Sequence, residues 1–171
     1  ERDAALLDCN SYDKVLLWFE HDLYDQLQLL QVLDALHRHA TSCELGLICT
    51  DNHLGMLTPE EMANMPAHEQ AVDHAMLMLA SKAWEAYRQP HPEDWLALRK
   101  SDTSALPFLD GAIKRSLQEY PDCHTGLSRT EFAILSLLAA QHGEGIPAAR
   151  LFGKYQQTEE RVFMGDLSFH V

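Results

Sequence analysis

The pattern of hydrophobic positions begins with a continuous apolar run, Val15 to Phe19, in a segment (12–19) rich in aromatic and β-favouring residues. Such a run is typical of a strand that is covered on both faces. Asp22 follows, and the apolar residues after it recur at helical spacing, which predicts a helix with Asp22 as its N-cap. The apolar stripe of this helix consists of Leu23, Leu27, Leu30, Leu33 and Leu36.

A second short apolar run, Leu45 to Thr50, predicts a second strand. The connection from His21 to Cys43 is long enough for a helical crossover between parallel strands. Such a connection is right-handed in nearly all known sheets. We therefore predict a strand–helix–strand unit belonging to a small parallel, Rossmann-like sheet that is incomplete in this chain.

The signals beyond this unit are helical. A proline at the first helical position, followed by acidic residues, predicts a short helix from Thr58 to about Pro66. Apolar spacing predicts a longer helix over 68–88, a short one opening at Pro92, and another over 104–120. The fold class is therefore α/β but predominantly helical.

Residues 127–171 are predicted to form a small helical module. Residues 128–131 form a capping-box pattern at the start of a helix that Gly143 is placed to end. Pro147 opens a second helix, and Asp166 is placed to cap a third. This order resembles a helix-turn-helix or winged-helix core.

Three regions follow from these patterns. We assign residues 1–57 to an α/β portion, 58–126 to a helical region, and 127–171 to the helix-turn-helix-like module. The chain starts at Glu1 rather than at a methionine and stops at Val171 inside an amphipathic pattern. We therefore expect it to be a piece of a longer protein, cut in its first and last regions.

Charge and hydropathy narrow the classes of partner. The formal charge is −13, and most of the excess lies in residues 1–126. DNA binding through the near-neutral last module is disfavoured, because phosphate contacts need clustered Lys and Arg.

The longest apolar run, Ala75 to Ala80, is far shorter than the roughly 18 residues of a membrane span. We expect a cytoplasmic protein that does not enter a membrane.

Candidate chemistry lies where the two predicted strands end. The first strand runs into Glu20, His21 and Asp22, with Gln26 one turn into the helix. The second runs into Asp51, Asn52 and His53, and parallel strands direct such ends to the edge of the sheet where α/β folds bind ligands.

Two interpretations of these clusters stay open. In the functional one, Glu20, His21, Asp22 and His53 are catalytic acids and bases or hold a metal, while Gln26, Asp51 and Asn52 bind a ligand. In the structural one, Asp22 is only an N-cap, Asp51 and Asn52 are ordinary turn residues, and Glu20 and His21 are solvated at the end of a strand. The sequence identifies neither a metal nor a cofactor.

The string from Trp18 to Leu27 resembles a bacterial family catalogued as domain of unknown function 1835. The blocks 102–109 and 126–131 also resemble segments that recur in such proteins. The resemblance implies a cytoplasmic bacterial protein whose members carry an additional α/β portion before this one. It implies no activity and no catalytic residues.

Two functions from different classes are compatible with these patterns. The first is a non-catalytic regulatory protein that binds a small ligand or a protein partner through the α/β portion. The alternative is a hydrolase or transferase that uses Glu20, His21, Asp22, Asp51 and His53.

Overall fold

The computed structural model of the chain describes residues 4, 6, 8–39, 41–141, 145–161, 165 and 169. Among these residues, the strands are β1 (Lys14–Glu20), β2 (Glu44–Thr50) and β3 (Gln70–Ala71). The α-helices are α1 (Leu23–Arg38), α2 (Pro59–Asn64), α3 (His74–Tyr87), α4 (Glu93–Leu98), α5 (Leu109–Leu117), α6 (Arg129–Ala139) and α7 (Ala148–Gln156). Helix clearly outweighs strand, which confirms the predicted α/β class.

The strand–helix–strand unit is present as predicted. β1 and β2 pair in parallel along their full length, from Lys14 opposite Glu44 to Glu20 opposite Thr50. α1 connects them, and the Asp22 side chain caps it by accepting the backbone N–H groups of Tyr24 and Asp25. The capped helix therefore starts directly beside the end of β1.

The start of the predicted helix over 68–88 is wrong. Gln70 and Ala71 instead form β3, which pairs antiparallel with β2 at Leu47 and Gly46. α3 begins only at His74, where Asp73 caps it by accepting the Met76 N–H at 2.8 Å. The edge of β2 that faces away from β1 has backbone N–H and C=O groups available for pairing. Gln70 and Ala71 pair with these groups instead of forming the first turn of the helix.

The helix predicted over 104–120 is also shorter than expected. Asp102 accepts the Ser104 N–H, and Leu106 donates its N–H to the Thr103 carbonyl, so this segment turns before α5 starts at Leu109. Short polar side chains that bond to nearby backbone compete with helix formation in this way.

One hydrophobic core joins the sheet to the helices that follow it. α1 packs against α3 through fully buried side chains, among them Leu29, Leu33, Ala80 and Ala83. The core also contains Trp95, Leu98, Leu106, Leu109 and Ile113. α1 thus contacts β1 as well as α3 and α5.

The last described elements are α6 and α7, which contact each other. α6 begins with the predicted capping box, formed by Ser128 and Glu131. The predicted caps Gly143 and Asp166 lie outside the described residues. The helix-turn-helix interpretation therefore stays a prediction. In the described part of the chain, no helix combines the length and the apolar character needed to cross a bilayer.

The close approach of β2 to its neighbours yields a prediction. A Cβ on Gly46 would lie 2.5 Å from Glu69 Oε1 and 2.8 Å from Leu16 Cδ1. We expect Gly46→Val to lower the free energy of unfolding by about 1 kcal/mol, because the ends of the Glu69 and Leu16 side chains must move aside and Glu69 then leaves its ion pair with Lys14. Urea denaturation measures the change.

Gly55→Val is the matched control, since nothing lies within 4 Å of a Cβ at Gly55. We expect it to change stability by less than about 0.5 kcal/mol. Equal losses in the two variants would contradict a packing constraint specific to Gly46.

Candidate functional site

The Glu20 carboxylate joins the ends of the two parallel strands. Its Oε2 lies 2.7 Å from His53 Nδ1, and its Oε1 accepts the Leu54 N–H at 2.8 Å. Glu20 is the last residue of β1, and His53 lies three residues after the end of β2. The bonds therefore fasten the turn after β2 to the end of β1.

The bond to Glu20 also indicates which nitrogen of His53 is the donor. An ionised carboxylate only accepts hydrogen bonds, so Nδ1 carries the proton, and in the neutral ring Nε2 is then an acceptor. Nε2 is buried and has no hydrogen-bond partner among the described residues. His53 therefore presents an unused electron pair inside the protein.

His21 is the second imidazole of the site and is 7% exposed. Its ring centre lies 5.2 Å from that of His53, and the edge of Phe108 packs against it at 6.2 Å. Its Nδ1 is buried and likewise has no partner in the described part of the chain. Burial lowers the pKa of His21, and the nearby His53 and Arg161 lower it further, which favours the neutral form of the ring.

Asp22 brings a second carboxylate to the same place. Both of its capping bonds, from Tyr24 and Asp25, fall on Oδ1, so capping does not occupy Oδ2. One ligand atom from each of Glu20, Asp22 and His53 lies within 4.8 Å of the other two. The capping role and a role in the site are therefore compatible.

Three further side chains brace the end of β1. Asp25 accepts the Glu20 N–H at 2.6 Å, and Gln26 donates its amide to the Glu20 carbonyl at 2.7 Å and to Cys49 Sγ at 3.4 Å. Burial raises the pKa of Asp25 and raises that of the Cys49 thiol to about 11. Cys49 is thus a protonated packing residue rather than a nucleophile.

A cleft of about 320 Å³ opens beside this cluster. Its strand-end wall contains His21 and Asp22. The opposite walls come from the start of α5 and from residues after α7, including Phe108, Lys114, Glu160 and Arg161. The Arg161 guanidinium lies 5.3 Å from the centre of the Phe108 ring, so one face of this aromatic residue is covered by a cation.

A buried charged network forms the far end of the cleft. The Arg115 guanidinium donates to Glu159 at 2.8 Å, to Tyr155 Oη at 2.9 Å and to Thr130 Oγ1 at 2.9 Å. It also contacts Glu119, and Arg129 forms a second ion pair with Glu159 at 3.0 Å. The network ties α5, α6, α7 and the segment after α7 together.

The structure brings four of the predicted site residues together and leaves the other three out of the cluster. Glu20, His21, Asp22 and His53 converge at the strand ends, and of these His21 and Asp22 line the cleft. Gln26 is buried, and its amide is used by the backbone of β1. Asp51 and Asn52 are exposed and bond to each other at 3.4 Å, as turn residues do.

Sequence reasoning missed the opposite wall of the cleft, Phe108 and Arg161 with the Arg115–Glu159 pair behind them. These residues come from elements distant in the chain, and each alone looks like an ordinary surface or core residue. Opposite charges four residues apart, at Arg115 and Glu119, were the available signal of an ion pair at the end of this helix.

Comparisons with known proteins add no assignment, because no family model, curated protein or solved structure matches the chain. The resemblance to the domain of unknown function 1835 stays a prediction.

The buried network predicts how stability depends on pH. Burial by itself would raise the pKa of Glu159, but the bonds from Arg115 and Tyr155 and the charge of Arg129 outweigh it, so the pKa is lowered. A carboxylate whose pKa is lower in the folded than in the unfolded state stabilises the fold at pH values above its unfolded-state pKa of about 4.3. This stabilisation is lost as the pH falls from there through the lowered pKa. We expect Glu159→Gln to reduce the loss of melting temperature between about pH 5 and pH 3.

The matched control is Glu160→Gln, since Glu160 is the exposed neighbour of Glu159. Its melting temperature should fall with pH as steeply as that of the unsubstituted chain. Identical acid profiles for all three proteins would show that Glu159 carries no linked stability.

Proposed function

We propose that the chain carries the active site of a hydrolase or a transferase, formed by Glu20, His21, Asp22 and His53. One observation carries the proposal: two neighbouring imidazoles, each with a buried nitrogen that has no hydrogen-bond partner among the described residues, lie with two carboxylates beside a cleft. A buried polar atom without a hydrogen-bond partner destabilises the fold. Such atoms are therefore not expected in a cluster that has only a structural role.

Hydrolysis and group transfer suit this set of side chains. Both reactions need one group that activates a nucleophile and another that protonates the leaving group. Imidazole and carboxylate serve either purpose near pH 7, and a carboxylate that fixes the tautomer of a histidine is a recurrent element of such sites. The bond between Glu20 and His53 Nδ1 has this form.

The substrate we infer is a small molecule. A volume of about 320 Å³ fits the lower part of the usual range for small-ligand sites, and Phe108 offers an apolar surface next to His21. In keeping with the sequence resemblance, we propose that the protein is bacterial and acts in the cytoplasm.

Substitutions at the Glu20–His53 pair test the catalytic proposal. We expect Glu20→Gln and His53→Gln to lower kcat/KM by about 10²–10⁴-fold, because each removes a positioned acid–base group. The measurement uses chromogenic phosphate and carboxylate esters as substrates for the 171-residue chain, with circular dichroism to verify folding.

His68→Ala is the control, since His68 is exposed and lies at the end of a 3-10 helix away from the cleft. It should retain full activity. Turnover that persists in Glu20→Gln and His53→Gln, or no turnover of any ester, would count against the proposal.

A non-catalytic regulatory or partner-binding protein is the second candidate. It is favoured by the exposed apolar side chains Phe132, Leu135 and Leu138, which follow one another at helical spacing along α6. This candidate predicts that cleft ligands raise the melting temperature without being converted to product. Product formation that depends on His53 would exclude it.

A further inference from the structure

We propose that the strand-end cluster binds one divalent transition cation, through His21 Nδ1, His53 Nε2 and the Asp22 carboxylate, with Glu20 orienting His53. This proposal rests on the proposed function, because it names the cofactor of that site. It also concerns binding alone, so it can be tested without a substrate.

The two imidazole nitrogens are the first support. His21 Nδ1 and His53 Nε2 are buried and lack hydrogen-bond partners among the described residues, and His21 is more than nine-tenths buried. Two imidazoles bound to one tetrahedral zinc ion, at about 2.0–2.1 Å from each nitrogen, place their ring centres roughly 5 Å apart. The two rings are separated by 5.2 Å.

The bond between Glu20 and His53 is the second support. Histidines that bind a metal through one nitrogen nearly always donate the other N–H to a carboxylate or carbonyl. His53 Nδ1 lies 2.7 Å from Glu20 Oε2, which leaves Nε2 for the ion. Glu20 is itself held by the Leu54 N–H, so the orientation of the ring is set before any ion arrives.

The carboxylate of Asp22 completes the set. One of its oxygens lies within 4.8 Å of a ligand atom of Glu20 and of one of His53, and Asp22 directly follows His21 in the chain. Two imidazoles and one carboxylate are typical ligands of Zn²⁺ and of neighbouring transition metals, whereas Mg²⁺ and Ca²⁺ prefer oxygen alone. Three protein ligands also leave the fourth tetrahedral position open, as in catalytic zinc sites.

The test is a calorimetric titration of the metal-free chain with Zn²⁺, repeated with variants. We expect one ion per chain, lost in His53→Ala and in His21→Ala. Glu20→Gln should weaken binding by about 10–100-fold, the usual cost of losing a carboxylate that orients a ligand. Mg²⁺ should neither bind at this site nor compete with Zn²⁺.

The chain offers its own control in the exposed Asp122, Cys123 and His124, consecutive residues that also group three ligand atoms. His124→Ala should leave the calorimetric titration unchanged. Loss of binding in His124→Ala alone, or no ion bound by the unsubstituted chain, would overturn the proposal. Because an alanine variant can fail to fold, His53→Gln is measured as well, with the rise in melting temperature on adding Zn²⁺ as a second readout.

The outcomes separate this proposal from the proposed function. Zinc bound at the strand ends without turnover of any ester would support the metal site and count against the catalytic proposal. Ester turnover that depends on Glu20 and His53, together with no zinc bound in the titration, would overturn the metal site and support acid–base catalysis.

Discussion

The parallel pairing of β1 with β2, in the register that sets Glu20 opposite Thr50, is the constraint on which the candidate site depends. A shift by one residue would move Glu20 by about 3.3 Å along the strand and turn its side chain to the other face. Its bonds to His53 and Leu54 would then be lost. The continuous apolar strands and the capped crossover helix α1 thus determine where the polar groups meet.

The structural and functional interpretations of the strand-end residues prove to be compatible. Asp22 caps α1 through one carboxylate oxygen, and the other is left for the cluster. Glu20 fastens the turn after β2 and at the same time orients His53. What a structural role leaves unexplained is that one buried nitrogen on each of His21 and His53 has no partner in the part of the chain that the structure describes, since buried polar atoms are usually paired.

Local signals in the sequence were sufficient to predict the strand-end part of the candidate site. The apolar run before Glu20, the cap at Asp22 and the run before Asp51 are short-range patterns, and parallel pairing alone brings their ends together. The burial of His21 was beyond such reasoning, because it depends on Phe108 and Arg161 from distant parts of the chain. β3 was missed for a related reason, since Gln70 and Ala71 carry no strand signal apart from the open edge of β2.

Because the Arg115–Glu159 network forms one end of the cleft, the cleft depends on the later helices as well as on the strand ends. Arg115 in α5 bonds to Thr130 in α6, to Tyr155 in α7 and to Glu159 beyond it. Arg161, two residues after Glu159, then covers the Phe108 ring that packs against His21. A ligand that contacts both walls therefore favours the state in which this network is formed, because binding stabilises whichever conformation it selects.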